Sequence, residues 1–262
     1  MKINIISILF LFFSLENFAQ IININKDWKF HTGDDKNWAK PDFNDTDWTL
    51  ILPVISYEKQ GFNGYEGYSW YRIKFFLPEE VREKAVLKKD IRLVLSKING
   101  TDEVFFNGIK IGQTTTFSTE ARKYFLSADS AVIHWNKENV IAVRVHGKGG
   151  MYEGECSFDM ASPIDYIKMN TEAAWDMSRT DTIFKKITFV NTFDKDLRGS
   201  IQTSFFDERG KRQGAATGLK LKVNEKFIFL AKMPRKEDAK VEISFTDMKT
   251  FKQITVLETT PK

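Results

Sequence analysis

The chain has 262 residues, 39 Lys+Arg against 35 Asp+Glu for a net charge of +4, and 42% hydrophobic and 28% charged residues. With 23 Phe, 7 Tyr and 6 Trp to fill a core, intrinsic disorder is excluded, and so small and evenly spread a charge leaves no nucleic-acid footprint. The single cysteine, Cys156, excludes an internal disulfide and a cysteine-based zinc site; the length fits one or two domains, without room for a (β/α)8 barrel of ~250 residues beside accessory domains.

Met1-Lys2 opens the chain, Ile3 to Phe13 is apolar apart from Asn4 and Ser7, and Ser14, Glu16 and Asn17 lead to Ala19-Gln20. A basic start, about a dozen apolar residues and a small residue at the end read as a secretory leader over residues 1–19, cut after Ala19. The stretch is short of the ~20 apolar residues a membrane span needs. No cysteine lies near the cut to carry a lipid. The expectation is an exported protein, secreted or periplasmic, with no membrane span after cleavage.

Beyond the leader the pattern has period two. Tyr71, Ile73, Phe75 and Leu77 share one face of a strand, with Arg72 and Lys74 on the other. Ile91, Leu93 and Leu95 alternate with Arg92; Ile141, Val143 and Val145 alternate with Ala142 and Arg144. Asn107-Gly108 between Val104-Phe105-Phe106 and Ile109-Lys110-Ile111 predicts a two-residue hairpin. Helix is expected only in short pieces, over Glu79–Lys84 after Pro78 and as a turn near Ser127–Ala131. The chain is therefore read as all-β.

A boundary is placed near Pro163. Residues 20–163, with eight or more strands and long loops, are expected to form a β-sandwich of jelly-roll type. Residues 164–262 alternate over Ile183–Asn191, Arg198–Asp207, Leu219–Val223, Lys226–Leu230, Ala239–Thr246 and Lys252–Leu257. Six or seven short strands in about 95 residues fit an immunoglobulin-like sandwich.

Asp27-Trp28-Lys29-Phe30, Phe43-Asn44-Asp45-Thr46-Asp47-Trp48, Leu52-Pro53 and Trp70-Tyr71-Arg72-Ile73-Lys74-Phe75 follow one another in the first part. Asp102 to Gly108 with Ile111-Gly112, then Asn139 to Val145 before a glycine-rich loop, Gly147 to Gly154, complete the run. In order and spacing this part resembles the N-terminal sugar-binding, galactose-binding-like jelly roll of family 2 glycoside hydrolases, the β-galactosidase and β-glucuronidase group. The second part is similar, by position and strand pattern, to the immunoglobulin-like domain that follows there. In that family both catalytic glutamates belong to a C-terminal barrel, and no stretch here matches those motifs. The resemblance therefore implies sugar recognition or scaffolding rather than hydrolysis, which needs two carboxyl groups about 5 to 9.5 Å apart.

A sugar site combines aromatic plates with carboxylates, amides or arginine. The loop Ser56–Ser69 has that composition, with Tyr57, Phe62, Tyr65, Glu66 and Tyr68 among glycines; such aromatics also cap sandwich ends as a small satellite core. The glycine-rich segment adds Arg144, His146, Tyr152 and Glu153. The candidate carbohydrate-binding residues are Tyr65, Glu66, Tyr68, Arg72, Asp102, Arg144, His146, Tyr152 and Glu153, on loops expected to meet at one end of the first sandwich. No catalytic residue is assigned. In some family members the glycine-rich loop carries a metal-binding Asp; here His146-Gly147-Lys148 stands nearest, and no metal ligand is assigned. Asp42, Asp45 and Asp47 offer oxygens for a structural calcium or serve simple turn chemistry. Trp28, Trp38, Trp48, Trp70 and Tyr71 read as core, and Cys156 as an inert small residue.

Three functions compete: a non-catalytic carbohydrate-binding protein, an accessory subunit or truncated relative of a glycoside hydrolase whose barrel is encoded elsewhere or has been lost, and an adhesion or assembly module. The expected partners are an oligo- or polysaccharide and, under the second reading, a glycoside hydrolase; nucleic acid is not among them.

Overall fold

The computed structural model describes residues 21–85, 87–179, 181–207, 210–234 and 239–260; the leader expected over residues 1–19 lies outside the described residues. The chain divides into two compact units between Met160 and Ala161, and both are built of strands.

The first unit contains β1 (Ile22–Asn23), β2 (Trp28–Thr32), β3 (Thr49–Ile51), β4 (Glu66–Leu77), β5 (Asp90–Phe106), β6 (Ile109–Ser118), β7 (Ala121–Ser127), β8 (Lys137–Tyr152) and β9 (Ser157–Met160). They hydrogen-bond in the order β1-β9-β5-β8-β4-β2-β3, with β6 and β7 also on β5. The strand β5 changes neighbours along its length. Ile91–Val94 lies between β7 and β9, whereas Asp102–Phe106 lies between β6 and β8. One strand thus serves both layers, and the sheet curls into a sandwich of jelly-roll type. The single turn of α-helix, α1 (Glu80–Glu83), sits between β4 and β5. No helix among the described residues is long and apolar enough to cross a membrane.

The alternation read from the sequence sets the faces. Tyr71, Ile73 and Leu77 of β4, Ile91, Leu93 and Leu95 of β5, and Ile141, Val143 and Val145 of β8 are all buried in one core with Trp28 and Phe30. Phe106 stacks on Phe158 at 5.8 Å between centroids. Asn107 and Gly108 both have positive φ, 45° and 83°, the requirement of a type I′ turn. Asn107 does more than turn. Its Oδ1 accepts from Val140 N at 2.7 Å, and its Nδ2 donates to Val132 O at 2.7 Å and Asn139 Oδ1 at 2.8 Å.

A second aromatic cluster covers the opposite face of the same sheet. The segment 33–48 between β2 and β3 folds back through a 3-10 turn at Lys36–Ala39, whose N-terminus is capped by Asp35 accepting from Asn37 N. Trp48 and the half-buried Trp38 and Phe43 pack there on Trp70, Phe105 and Ala142. Arg72 is fully buried beneath them: Nε donates to Asp45 Oδ2 at 2.9 Å, Nη1 to Trp38 O, and the guanidinium lies 5.5 Å from the Phe43 ring. Burial of that charge is tolerable because it is paired. Asn44 Oδ1 accepts from Thr46 N and Oγ1, so this stretch carries the turn chemistry that was one of its two readings.

The second unit contains β10 (Ile167–Asp176), β11 (Thr182–Asn191), β12 (Leu197–Asp207), β13 (Gly210–Leu221), β14 (Lys226–Pro234), β15 (Lys240–Asp247) and β16 (Gln253–Thr259). The sheets β10-β11-β14 and β13-β12-β15-β16 make an immunoglobulin-like sandwich. Ile187, Phe189, Ile201, Ile243 and Phe245 are buried in it. A buried Lys185 pairs with Glu258 at 3.1 Å and lies 4.9 Å from the Trp175 ring. Two elements differ from the sequence reading. β13 begins at Gly210, not Leu219, because an edge strand bonded only to β12 needs no strict alternation. β10 escaped notice because a bulge between Thr171 and Trp175 interrupts its period.

Replacing Asn107 by Gly keeps the positive φ and removes three side-chain hydrogen bonds. Urea unfolding followed by tryptophan fluorescence should show a loss of about 2–3 kcal/mol. A loss below about 0.5 kcal/mol would mean that only the turn geometry matters.

Candidate functional site

The strands β4, β8, β5 and β6 lie side by side, and their outward positions come into register. Tyr68 opposes His146, which opposes Thr101; Trp70 opposes Arg144, which opposes Glu103; and Glu103 opposes Gln113 on β6. These rows border an open cleft of about 200 Å³. Tyr68, Asp102, Arg144 and His146, all candidates from the sequence, line it together. Thr101, Glu103, Gln113, Thr114 and Thr115 complete the wall.

Arg144 is the hub. Its Nε donates to Asp34 Oδ1 at 2.6 Å, its Nη2 to Asp34 Oδ2, and its Nη1 to Glu103 Oε1 at 2.7 Å. The guanidinium carbon lies 3.8 Å from the centroid of the Tyr68 ring, and the His146 ring lies 4.3 Å from the same ring, tilted by 35°. Trp70 Nε1 donates to Asp34 as well. The Arg144 hydrogen bond holds the Asp34 carboxyl below its ordinary range, and Asp34 in turn raises Arg144. Partial burial would raise Glu103, but hydrogen bonds and charge from Lys36, Lys110 and Arg144 outweigh it and leave the carboxyl lowered.

Asp102 alternates with Thr101 and Glu103 on β5, so its side chain lies behind the cleft, on the inner face of the sheet. It is buried, accepting from Arg122 Nε at 2.7 Å and from the Tyr124 hydroxyl. Arg122 Nη2 also donates to Gly100 O at 3.0 Å and Ile98 O at 3.2 Å, tying β7 to the irregular middle of β5. Gly112 makes the Tyr124 contact possible, since a Cβ there would stand 2.2 Å from the Tyr124 ring. Burial and the hydrogen bond to Asp102 both raise the Tyr124 hydroxyl above its ordinary range.

The remaining candidates lie elsewhere. The loops Ser56–Ser69 and His146–Glu155 do meet, but around a buried tyrosine: Tyr57 donates to Tyr65 O at 3.0 Å and Gly147 O at 3.2 Å. Tyr65 is half-buried against the main core, its hydroxyl donating to Tyr68 O and accepting from Gly33 N. Glu66 is exposed opposite Lys148. Arg72 is enclosed with Asp45, as described above. Tyr152 donates to Thr119 O at 3.1 Å, and Glu153 pairs with Lys97 at 2.9 Å; neither borders the cleft. Cys156 is buried, and burial pushes its thiol up to about 11. No group of three or more His, Cys, Asp or Glu among the described residues could hold a metal ion. Sequence reading missed Asp34, Gln113 and the threonines. Only the shared outward phase of Thr101 and Glu103 on β5 pointed that way.

Residues 33–150 match the family model of the β-galactosidase second all-beta domain. Those residues include every lining residue of the cleft. The first unit is thus related to the all-β domains of family 2 glycoside hydrolases. Curated relatives include β-galactosidase BoGH2A of Bacteroides ovatus, 29% identical over 47% of this chain and 15% of that protein. A β-glucuronidase of Formosa agariphila is 26% identical over 49% of this chain and 14% of its own length. The match therefore spans only a small part of either relative. Among solved structures, a Bacteroides uniformis β-glucuronidase superposes with a TM-score of 0.57 at 19% identity, over 92% of this chain and 32% of that one. A β-galactosidase-like protein of Bacteroides fragilis gives 0.53 at 16%, over 93% and 41%. At those identities the likeness is one of fold.

The acid limb of stability follows from the lowered carboxyls. A carboxyl whose folded pKa lies below its unfolded value of about 4 stabilises the fold fully above that value, and the contribution disappears as pH falls through the folded pKa. Asp34→Asn should therefore narrow the gap in Tm between pH 6 and pH 3 relative to wild type. An unchanged gap in thermal scans would show that Asp34 makes no folded-state ion pair.

Proposed function

We propose that this protein is an exported carbohydrate-recognition protein related to family 2 glycoside hydrolases and does not itself cleave glycosides. The observation that carries this reading is the cleft, where hydroxyls, an amide, a carboxylate and an imidazole converge on one open space. Those groups match the alternating donors and acceptors of a sugar ring. About 200 Å³ is below the ~300 Å³ of a drug-sized site and suits one sugar residue rather than a long oligosaccharide. Export rests on the leader read over residues 1–19, and places the protein in the periplasm or outside the cell.

Cleavage would need one carboxylic acid kept protonated beside a second free carboxylate. In the cleft Glu103 is held below the ordinary carboxylate range by its cations, and behind it Asp102 is enclosed by Arg122 and Tyr124. Neither is arranged to act as an acid.

Calorimetric titration of the protein with methyl β-galactoside should give a Kd between about 1 mM and 1 μM, and His146→Ala should weaken it at least about tenfold without lowering Tm. No heat with neutral or acidic monosaccharides would refute sugar recognition. Turnover of aryl β-galactosides that disappears in Glu103→Gln would refute the non-catalytic assignment.

A further inference from the structure

Two charged side chains face the cleft, Glu103 and Arg144; the Asp102 carboxylate is buried behind it against Arg122 and Tyr124. A sugar that bears its own carboxylate is bound best by the planar fork of an arginine, through two parallel hydrogen bonds. Arg144 is the guanidinium in this wall, and its fork is already taken. One edge, Nε with Nη2, grips both oxygens of Asp34. The neighbouring edge is broken because Nη1 is bound to Glu103. One flat face rests against Tyr68 at 3.8 Å. A third carboxylate would join two that already surround the guanidinium, and like charges at such spacing repel. Lys36 and Lys110 both reach Glu103, at 2.6 and 3.4 Å, and stand outside the lining. What the wall still offers is the hydroxyls of Thr101 and Thr115, the Gln113 amide and the His146 imidazole; the Thr114 hydroxyl is bound to Tyr124.

We infer that the cleft selects a neutral, hydroxyl-rich sugar over a uronate, and that Asp34 sets this choice by occupying the Arg144 fork. The inference rests on the carbohydrate reading of the cleft. It assigns Asp34 a specificity role although Asp34 does not border the cleft itself. Asp34 reaches Arg144 from the segment 33–48, which the aromatic cluster of Trp38, Trp48 and Trp70 clamps to the sheet. The specificity element is therefore delivered by a loop and held by packing.

The test compares two probes that differ only at C6, methyl β-galactoside and methyl β-galacturonide, by calorimetry at low salt. The wild type should bind the neutral sugar at least about tenfold more tightly. Asp34→Ala should raise affinity for the galacturonide at least about tenfold, with the gain weakening as salt is added. Glu103→Gln, which leaves the segment 33–48 untouched, should shift the ratio in the same direction and decides the matter if Asp34→Ala fails to fold. A wild type that prefers the galacturonide, or variants that leave the ratio unchanged, would overturn the assignment to Asp34 while sugar recognition stands. Binding of neither probe by the wild type would overturn the carbohydrate reading and this inference with it.

Discussion

The first unit depends on one close approach between backbones. Midway along β5 the strand crosses from one layer of the sandwich to the other, and there it meets β8 with no space for side chains. A Cβ on Gly100 would stand 2.2 Å from His146 O, and one on Gly147 would stand 2.2 Å from Asn99 O. The ladder breaks at this place, between Asn99 and Thr101, and resumes with Thr101 opposite His146. Everything that borders the cleft inherits its register from that restart. Shifted by one residue, the outward row of Thr101, Glu103, Arg144 and His146 would turn into the core, because a strand changes face at every residue.

A sheet in this position has two faces to satisfy. The inner face is covered by the main apolar core, and the outer face is covered in part by Trp48 and the half-buried Trp38 of the segment 33–48. The polar cleft occupies the part of the outer face that the tryptophans leave open. Its charges are paired, with Arg144 between Asp34 and Glu103, and behind it Arg122 pairs with Asp102. Such an arrangement fixes side-chain orientation and leaves neutral donors and acceptors for a ligand. It fits the recognition role proposed above, since a general acid needs a carboxyl shifted up rather than down.

Strand identity was largely legible in the sequence because period two is a local property. Tyr71, Ile73 and Leu77 announce their buried face without reference to any neighbour. The Asn107-Gly108 turn was legible for the same reason, although its bonds to Val132, Asn139 and Val140 were not. Pairing across long sequence distances leaves no such mark. Asp34 meets Arg144 across 110 positions, and Arg72 meets Asp45 beneath a segment whose path depends on Trp70 and Phe105. The tyrosines of the loop Ser56–Ser69 look alike in composition but diverge in place. Tyr57 is buried and bonded to backbone, whereas Tyr68 reaches the cleft because it falls on the outward phase of β4.

The central claim, that the row on β5, β6 and β8 is the ligand surface, is tested most directly by mapping amide shifts in 15N-labelled protein as methyl β-galactoside is added. Shifts are expected at Thr101, Gln113, Thr115 and His146, with none at Tyr152 and Glu153. Shifts centred on Tyr152 and Glu153, or none anywhere at millimolar sugar, would contradict the claim.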